Sequence, residues 1–365
     1  MHFDKIIIGS SPVCLLEAIY ADSRGIKVCI IDNAADLGGA WKKLNMENAA
    51  AKGVEIGCHI IEKDRKVFEF FKNKLNLELL EIDPPPKVIF KNKSIPYNLK
   101  NFSLVFSLIK SYFTYKHRIK LFAYFSLVFW KEIIQFNLKY FNFKNGSITL
   151  VDKLIKEINQ RNISVVLSTN IISVKVNKSS EIIELTTAKG ETIKSNKLAI
   201  TNNSNFDHID IEGKDRANIL QRKKYQFTHL HLLINDREMK NISYWRIFNN
   251  EVIHRISDMT HQIKTKEGEH LICIGIFSSF AENKTDDSIR ESVISTLKKM
   301  NLISNSCQII KAEMNSYTGF YTDLYELKLI EAETNNLVEV VDTIDLAMSI
   351  RKNLVKYNAV AYSTN

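Results

Sequence analysis

Lys5-Ile6-Ile7-Ile8-Gly9-Ser10-Ser11-Pro12-Val13 opens the stretch that decides the fold, and Leu37-Gly38-Gly39-Ala40-Trp41 closes it. Between them lie an apolar-rich segment from about Val13 to Ser23 and a second apolar run, Val28-Cys29-Ile30-Ile31, which ends in Asp32. The pattern predicts strand, turn, helix, strand.

Asp32 stands 23 residues beyond Gly9, the spacing at which a Rossmann half-unit presents a dinucleotide site. In such a unit the turn (here Gly9, Ser10, Ser11, Pro12 and Val13) lets backbone N–H groups approach a pyrophosphate. The helix N-terminus adds partial positive charge, and the acid, followed here by Asn33, can accept both ribose hydroxyls. Gly38, Gly39, Ala40 and Trp41 then offer a second close approach of backbone. The second and third glycines of G-x-G-x-x-G would fall at Ser11 and Cys14. Both substitutes are small: Ser11 still admits a phosphate, and Cys14 still permits close packing of helix on strand. The alternative is an ordinary βαβ unit with no ligand. Glycine usage favours a site, because only 12 of 365 residues are Gly, against about 7% in ordinary chains. Six of the 12 precede residue 58.

Length and composition describe a globular chain that can bury a large core in two domains, or in one domain with an insertion. Cys14, Cys29, Cys58, Cys273 and Cys307 are odd in number, scattered and in apolar surroundings, which reads as reduced thiols in a cytoplasmic protein. The first strand begins within a few residues of the start, which leaves no room for a secretory leader. The net charge of +9 is concentrated: residues 87–144 hold eleven Lys and Arg against one acid, Glu132, and 16 of the 36 aromatic residues.

Beyond Trp41, Val54 to Ile61 alternates around Gly57 and suggests a short strand or turn against a ligand. A helix is expected from about Lys63 to Leu75, and a hairpin from Lys87–Phe90 and Ser94–Tyr97. Asn101 to about Phe143 lacks Gly and Pro and reads as a helical insertion. Its uncharged run Leu121–Trp130 is too short for a bilayer span, which needs about 20 residues. The insertion is either a subdomain with an aromatic core and a lysine rim, or a face for an anionic membrane or an amphipathic ligand. Basic and aromatic residues together also suit single-stranded nucleic acid, but nothing else in the chain supports that partner. A helix over 149–160, strands to Thr201, antiparallel strands from Tyr225 to Ser278, a helix over 286–300 and a strand over 308–313 follow. A strand and helix between Leu337 and Leu354 close the chain. His229 and His231 share one strand face, but no third ligand at metal spacing accompanies them.

This order of parts resembles the flavin-dependent superfamily of amine oxidases, protoporphyrinogen oxidase, phytoene desaturases and UDP-galactopyranose mutase. Gly9-Ser10-Ser11-Pro12, Asp32 and Leu37-Gly38-Gly39-Ala40-Trp41 match its pyrophosphate loop, ribose acid and Gly pair. Val54 to His59 looks like the segment beside the flavin ring, and Asn145 to Val174 like the second cofactor-contacting stretch. The resemblance implies an α/β fold of glutathione-reductase type, with FAD as cofactor and an antiparallel-sheet domain over the substrate. It further implies Gly57 at the ring, Val174 at the adenine through its backbone, and His59 as an active-site polar group. The family's C-terminal Gly-Asp corresponds to Val341-Asp342-Thr343-Ile344-Asp345-Leu346, with Asp345 as the acid and no Gly. Arg246, Arg255 and Arg351 are open alternatives for the mutase's diphosphate arginines.

The implied layout is a cofactor domain over 1–100, the insertion over 101–145, and cofactor domain again over 146–204. A substrate domain over 205–320 and a return to the first domain over 321–365 complete it. The implied activity is an FAD-dependent oxidoreductase acting on an amphipathic or anionic small molecule. One alternative is a mutase-like rearrangement of a nucleotide sugar without net redox. Another is a non-catalytic binding protein on the same scaffold, as in the Rab-escort and GDP-dissociation-inhibitor branch. The expected location is cytoplasmic, with peripheral membrane contact through 101–143 as an extension of that reading.

Overall fold

A computed structural model describes residues 1–41, 54, 59–62, 64–82, 87–90, 93–96, 140–204, 206–216, 223–239, 241–248, 250–262, 266–343 and 346–363. In chain order the first strands are β1 (His2–Ile8), β2 (Val28–Ile31), β3 (Ile61–Glu62), β4 (Leu79–Glu81), β5 (Lys87–Phe90), β6 (Lys93–Pro96) and β7 (Tyr140–Phe143). Next come β8 (Ser164–Val166), β9 (Ile171–Asn177), β10 (Ile182–Thr187), β11 (Thr192–Thr201), β12 (His208–Ile211) and β13 (Lys214–Asp215). The rest are β14 (Lys223–Asn235), β15 (Tyr244–Phe248), β16 (Ile253–Asp258), β17 (Glu269–Ile276), β18 (Gln308–Tyr321) and β19 (Val338–Val341). The main helices are α1 (Pro12–Ser23), α2 (Arg65–Glu69), α3 (Ile148–Asn159), α4 (Asp286–Lys299), α5 (Leu324–Glu333) and α6 (Leu346–Asn358).

The first sheet has a parallel centre, β8-β2-β1-β11, with β19 also parallel to β11. Its strands are nearly continuous apolar runs because both faces are covered. Ile7, Ile30 and Ala199 pack with α1, α3 and α6 on one face. Ile6, Ile8, Ile31 and Leu198 point the other way, onto β9, β10, β12 and α5, as the two-residue period of a strand requires. β11 is long enough to serve two partners on its outer edge, β10 along its first half and β19 along its second.

The second sheet, β18-β14-β17-β16-β15-β5-β6, is antiparallel except where β15 runs parallel to β5. Leu230, Leu232 and Ile234 of β14 pack against Val293 and Leu297 of α4. The alternate residue Leu233 faces Val54, Met259 and Leu271. A third, small sheet, β3-β7-β4, places Phe141 and Phe143 in the same core as α1.

Three placements correct the expected layout. β12 and β13 belong to the first sheet rather than to the substrate sheet. β5 and β6 join the second sheet, although their sequence lies in the first hundred residues. Tyr140–Phe143, assigned to the helical run, is a strand, because Tyr-Phe-Asn-Phe is rich in β-favouring aromatics. Residues 101–139, the bulk of the expected insertion, lie outside the described residues.

Candidate functional site

The site begins where β1 ends. Gly9 N–H donates to the Ile31 carbonyl at 2.8 Å, and its φ of +111° is a conformation that side-chain-bearing residues rarely adopt. α1 starts three residues later with Pro12 in its first turn. Ser11, at the N-cap, makes no side-chain bond back to that turn; its hydroxyl donates to Cys14 Sγ at 3.3 Å. The first-turn amides of α1 and the positive end of its dipole therefore remain for a ligand. Cys14, in place of the third glycine, is fully buried, and burial pushes its thiol up to about 12. It acts as a small packing residue beside Gly9.

Ser10 ties the three expected elements together. Its hydroxyl donates to Asp32 Oδ2 at 2.5 Å, and Gly38 N–H lies 3.0 Å from the Ser10 carbonyl and 3.2 Å from its Oγ. The Gly pair is thereby folded back over the turn. Gly39, at φ +59°, has a conformation that side-chain-bearing residues rarely adopt, and an added Cβ there would touch Ser11 Cα and N at 3.4 Å. Asp32 is 8% exposed, and its Oδ1 accepts from Ala34 N–H at 2.9 Å. An ionised carboxylate has about four acceptor positions, so two fixed bonds leave capacity for a further partner. Asn33 and Ala40 are exposed at the rim.

Thr201, Asn202 and Ser204, which the sequence did not single out, complete this end of the sheet. Ser204 Oγ donates to the Ile8 carbonyl at 3.0 Å, and Thr201 lies 3.9 Å from the Cβ position of Gly9. Asn202 Oδ1 accepts from Thr343 Oγ1 at 2.7 Å, joining the end of β11 to the segment after β19. The polar run immediately after an apolar strand was the available signal.

His59 lies where three segments meet. Its ring stacks on Trp41 at 4.2 Å between centroids, and its Nδ1 is 3.5 Å from Ser147 Oγ. Gly146, next to Ser147, lies against Gln262, whose Oε1 would be 2.6 Å from an added Cβ.

The second sheet turns a polar face toward Val54, Ile60 and Met259, which share a core with Leu233 and Cys273. His229 and His231 occupy that face and are buried. Arg255 Nη2 lies 2.8 Å from His229 Nε2. Burial, then the positive charge of Arg255, lowers the His229 pKa to about 3, with smaller contributions from His231, His254 and His59. A cation already bonded to His229 makes a metal there unfavourable. Tyr317 stacks on both Phe227 and His229, at 5.1 and 6.0 Å. The three candidate arginines separate. Arg246 and Arg255 are register partners on β15 and β16, whereas Arg351, on α6, pairs with Asp64 at 3.3 Å and is 69% exposed.

Val174 is not brought to the Asp32 loop. It lies in mid-strand, buried, with β10 on one side and β12 on the other, so its backbone serves the sheet. Residues just before β9 meet the Asp32 loop: Ser168 N–H donates to the Ala34 carbonyl at 2.9 Å, and Thr169 N–H to the Asp32 carbonyl at 3.0 Å. Gly57 and Asp345 lie outside the described residues. Among the described residues, no helix is long and apolar enough to cross a membrane.

No family model matches the chain, and no curated protein matches it. Solved structures do. Putrescine oxidase bound to putrescine superposes with a TM-score of 0.66 at 11% identity, covering 99% of both chains. Reduced UDP-galactopyranose mutase gives 0.66 at 11% identity over 93% of this chain and 88% of its own. Rab GDI from Plasmodium falciparum gives 0.54 at 11% identity over 100% and 99%. Over nearly its whole length, this chain has the fold shared by putrescine oxidase, UDP-galactopyranose mutase and Rab GDI.

Proposed function

We propose that the chain is an FAD-dependent oxidoreductase whose substrate, an amphipathic or anionic small molecule, lies between the Trp41–His59 pair and the polar face of the second sheet. Ser10 carries this proposal, because one hydroxyl links Asp32 to the Gly pair directly above the uncapped start of α1. An ordinary βαβ unit has no need to fold a Gly pair back over its turn. The residues present fit the cofactor: Gly9 and Gly39 flank Ser11 without side chains, and Asp32 retains acceptor capacity for a ribose. Cys14 Sγ packs beside Gly9 and Ser11, so the missing third glycine does not fill the space above the turn.

Bound FAD supplies hydride acceptance, which leaves positioning and polarisation to the protein. Gly9 to Val13 would hold the pyrophosphate, and Asp32 the adenosine ribose. Gly38 and Gly39 would close over the phosphates. His59, oriented by Trp41 and Ser147, would serve as the polar side chain toward the reacting end. The second sheet would exclude water and orient the substrate.

The test is the visible absorption spectrum of the purified protein, with released cofactor identified after denaturation. A flavin spectrum that bleaches with an oxidisable substrate supports the oxidoreductase. A flavin that needs prior reduction by dithionite before turnover, and returns unchanged, points instead to mutase-like chemistry. A colourless protein that does not take up FAD overturns the cofactor and leaves a binding protein on this scaffold.

A further inference from the structure

Arg255 decides the protonation pattern of His229. A guanidinium has donors only, so His229 Nε2, 2.8 Å from Arg255 Nη2, must be the acceptor. A neutral imidazole that accepts at Nε2 carries its proton on Nδ1. His229 is 4% exposed, and among the described residues no acceptor reaches that Nδ1. Its cross-strand partner Asn315 has the same deficiency, with a buried Nδ2 that meets no acceptor. Ser257 Oγ, on the strand that carries Arg255 and fully buried, is likewise unpartnered.

Orphaned buried donors are uncommon, and each costs on the order of 1–3 kcal/mol. Here they are neighbours on one face: His229 pairs with Asn315 on one side and with Gly275 on the other, and Gly275 pairs with Arg255. Gly275 brings no side chain of its own, and the His254 ring lies over it instead, with Cε1 2.7 Å from where a Cβ would stand, so His254 forms the floor of this face between His229 and Arg255. Glu313, the nearest acid on β18, is engaged by Lys311 at 3.8 Å and faces His231 rather than His229. The ring stack Phe227–Tyr317–His229 runs from a 44%-exposed edge to the buried imidazole. A planar group entering along it would arrive beside the donors.

We infer that His229 Nδ1–H, the Asn315 amide and the Arg255 guanidinium form a subsite for an oxyanion borne on a planar small molecule, either a carboxylate or a phosphate ester. This rests on the reading that the sheet face covers the substrate, and it specifies which atoms would grip it. His229 acts as a neutral donor here, with the guanidinium supplying the charge.

Calorimetric titration of the full-length purified protein with benzoate, phenyl phosphate and neutral benzyl alcohol tests the subsite. Binding of either anion supports it, and which one binds distinguishes the two sources. His229→Phe and Asn315→Leu should each weaken that anion by about tenfold or more while leaving flavin content unchanged. Asn315→Asp, nearly isosteric, should abolish anion binding by charge repulsion, and it covers the case in which His229→Phe does not fold. A ring-¹⁵N spectrum should show His229 protonated on Nδ1 and shift on addition of the anion. Equal binding of benzyl alcohol, no binding of either anion, or anion binding indifferent to Asn315→Asp overturns the inference. Flavin content is read separately, so a colourless protein that still binds anions would sink the cofactor and keep the subsite.

Discussion

The turn after β1 and the polar face of β14 treat their polar groups in opposite ways. Around the turn, side chains are spent locally: Ser10 on Asp32, Asp32 on the Ala34 amide, Ser11 on Cys14. What they leave for a ligand is backbone, held rigidly. On the sheet, backbone is consumed by the ladder, and side-chain donors are left without acceptors. A site for a group common to many enzymes can be built from main chain, which tolerates drift in sequence, whereas a site for one particular molecule needs side chains, which do not. The difference teaches where substitution should hurt binding of the common group and where it should change only the partner.

The largest effect should come from below the turn. Lys5, inside β1, bonds to Glu17 at 2.9 Å and Glu339 at 2.5 Å. Burial opposes its charge, but the two carboxylates more than offset this and leave its pKa raised. Lys5→Met strands two acids together and should cost about 3–5 kcal/mol in urea unfolding. A loss under about 1 kcal/mol would mean the first region is not built on internal pairing. Asp32→Ala should follow, reducing FAD affinity on the order of 100-fold, about 2.7 kcal/mol, by equilibrium dialysis, with anion binding at the sheet untouched.

Gly39→Ala places a side chain at φ +59° against the Ser11 backbone and should cost about 1–2 kcal/mol of cofactor affinity. The smallest effect belongs to the sheet. His229 titrates near 3 when folded and near 6.5 when unfolded, so the unfolded chain binds the extra proton between those values and stability falls as pH drops through that window. Between pH 7.5 and 5.5 His229 should contribute about 1.4 kcal/mol of that loss; His254, which burial lowers to about 4, titrates over the same window and adds a similar amount, so His229→Phe should remove about half of the slope. A curve that keeps its full slope in that variant would place the titration elsewhere.

Much of the first region was legible because its signals are local. An apolar run, a turn residue, Pro12 and an acid at fixed spacing lie within 41 residues, and the structure folds them on one another. The second region was legible as strands but not as a site. His229 meets Arg255 and Asn315 only through the register of β14, β16, β17 and β18, and no short window of sequence contains that register. The same limit hid the transfer of β5 and β6 to the second sheet, a pairing with β15 across about 150 residues. The strand holding Val174 was legible, but the residues that meet the Asp32 loop sit just before it, and alternation marks a strand's faces better than its ends. α5 was missed altogether, because its apolar residues are spread around the helix, Leu327 and Ile330 buried but Tyr325 and Leu329 exposed, and leave only a weak helical period.

The placement of β11 and β19 beside β1 sets a timetable for folding. β1 leaves the ribosome well before two of its sheet partners: its inner neighbour is β11, ending at Thr201, and the strand beyond that is β19, ending at Val341. At about 5–20 residues per second, β1 and the Gly9 turn wait on the order of half a minute for the segment that closes their crevice. During that interval β1 presents an apolar strand edge to the cell, so the finished protein's yield should depend on chaperone supply more than its equilibrium stability would suggest.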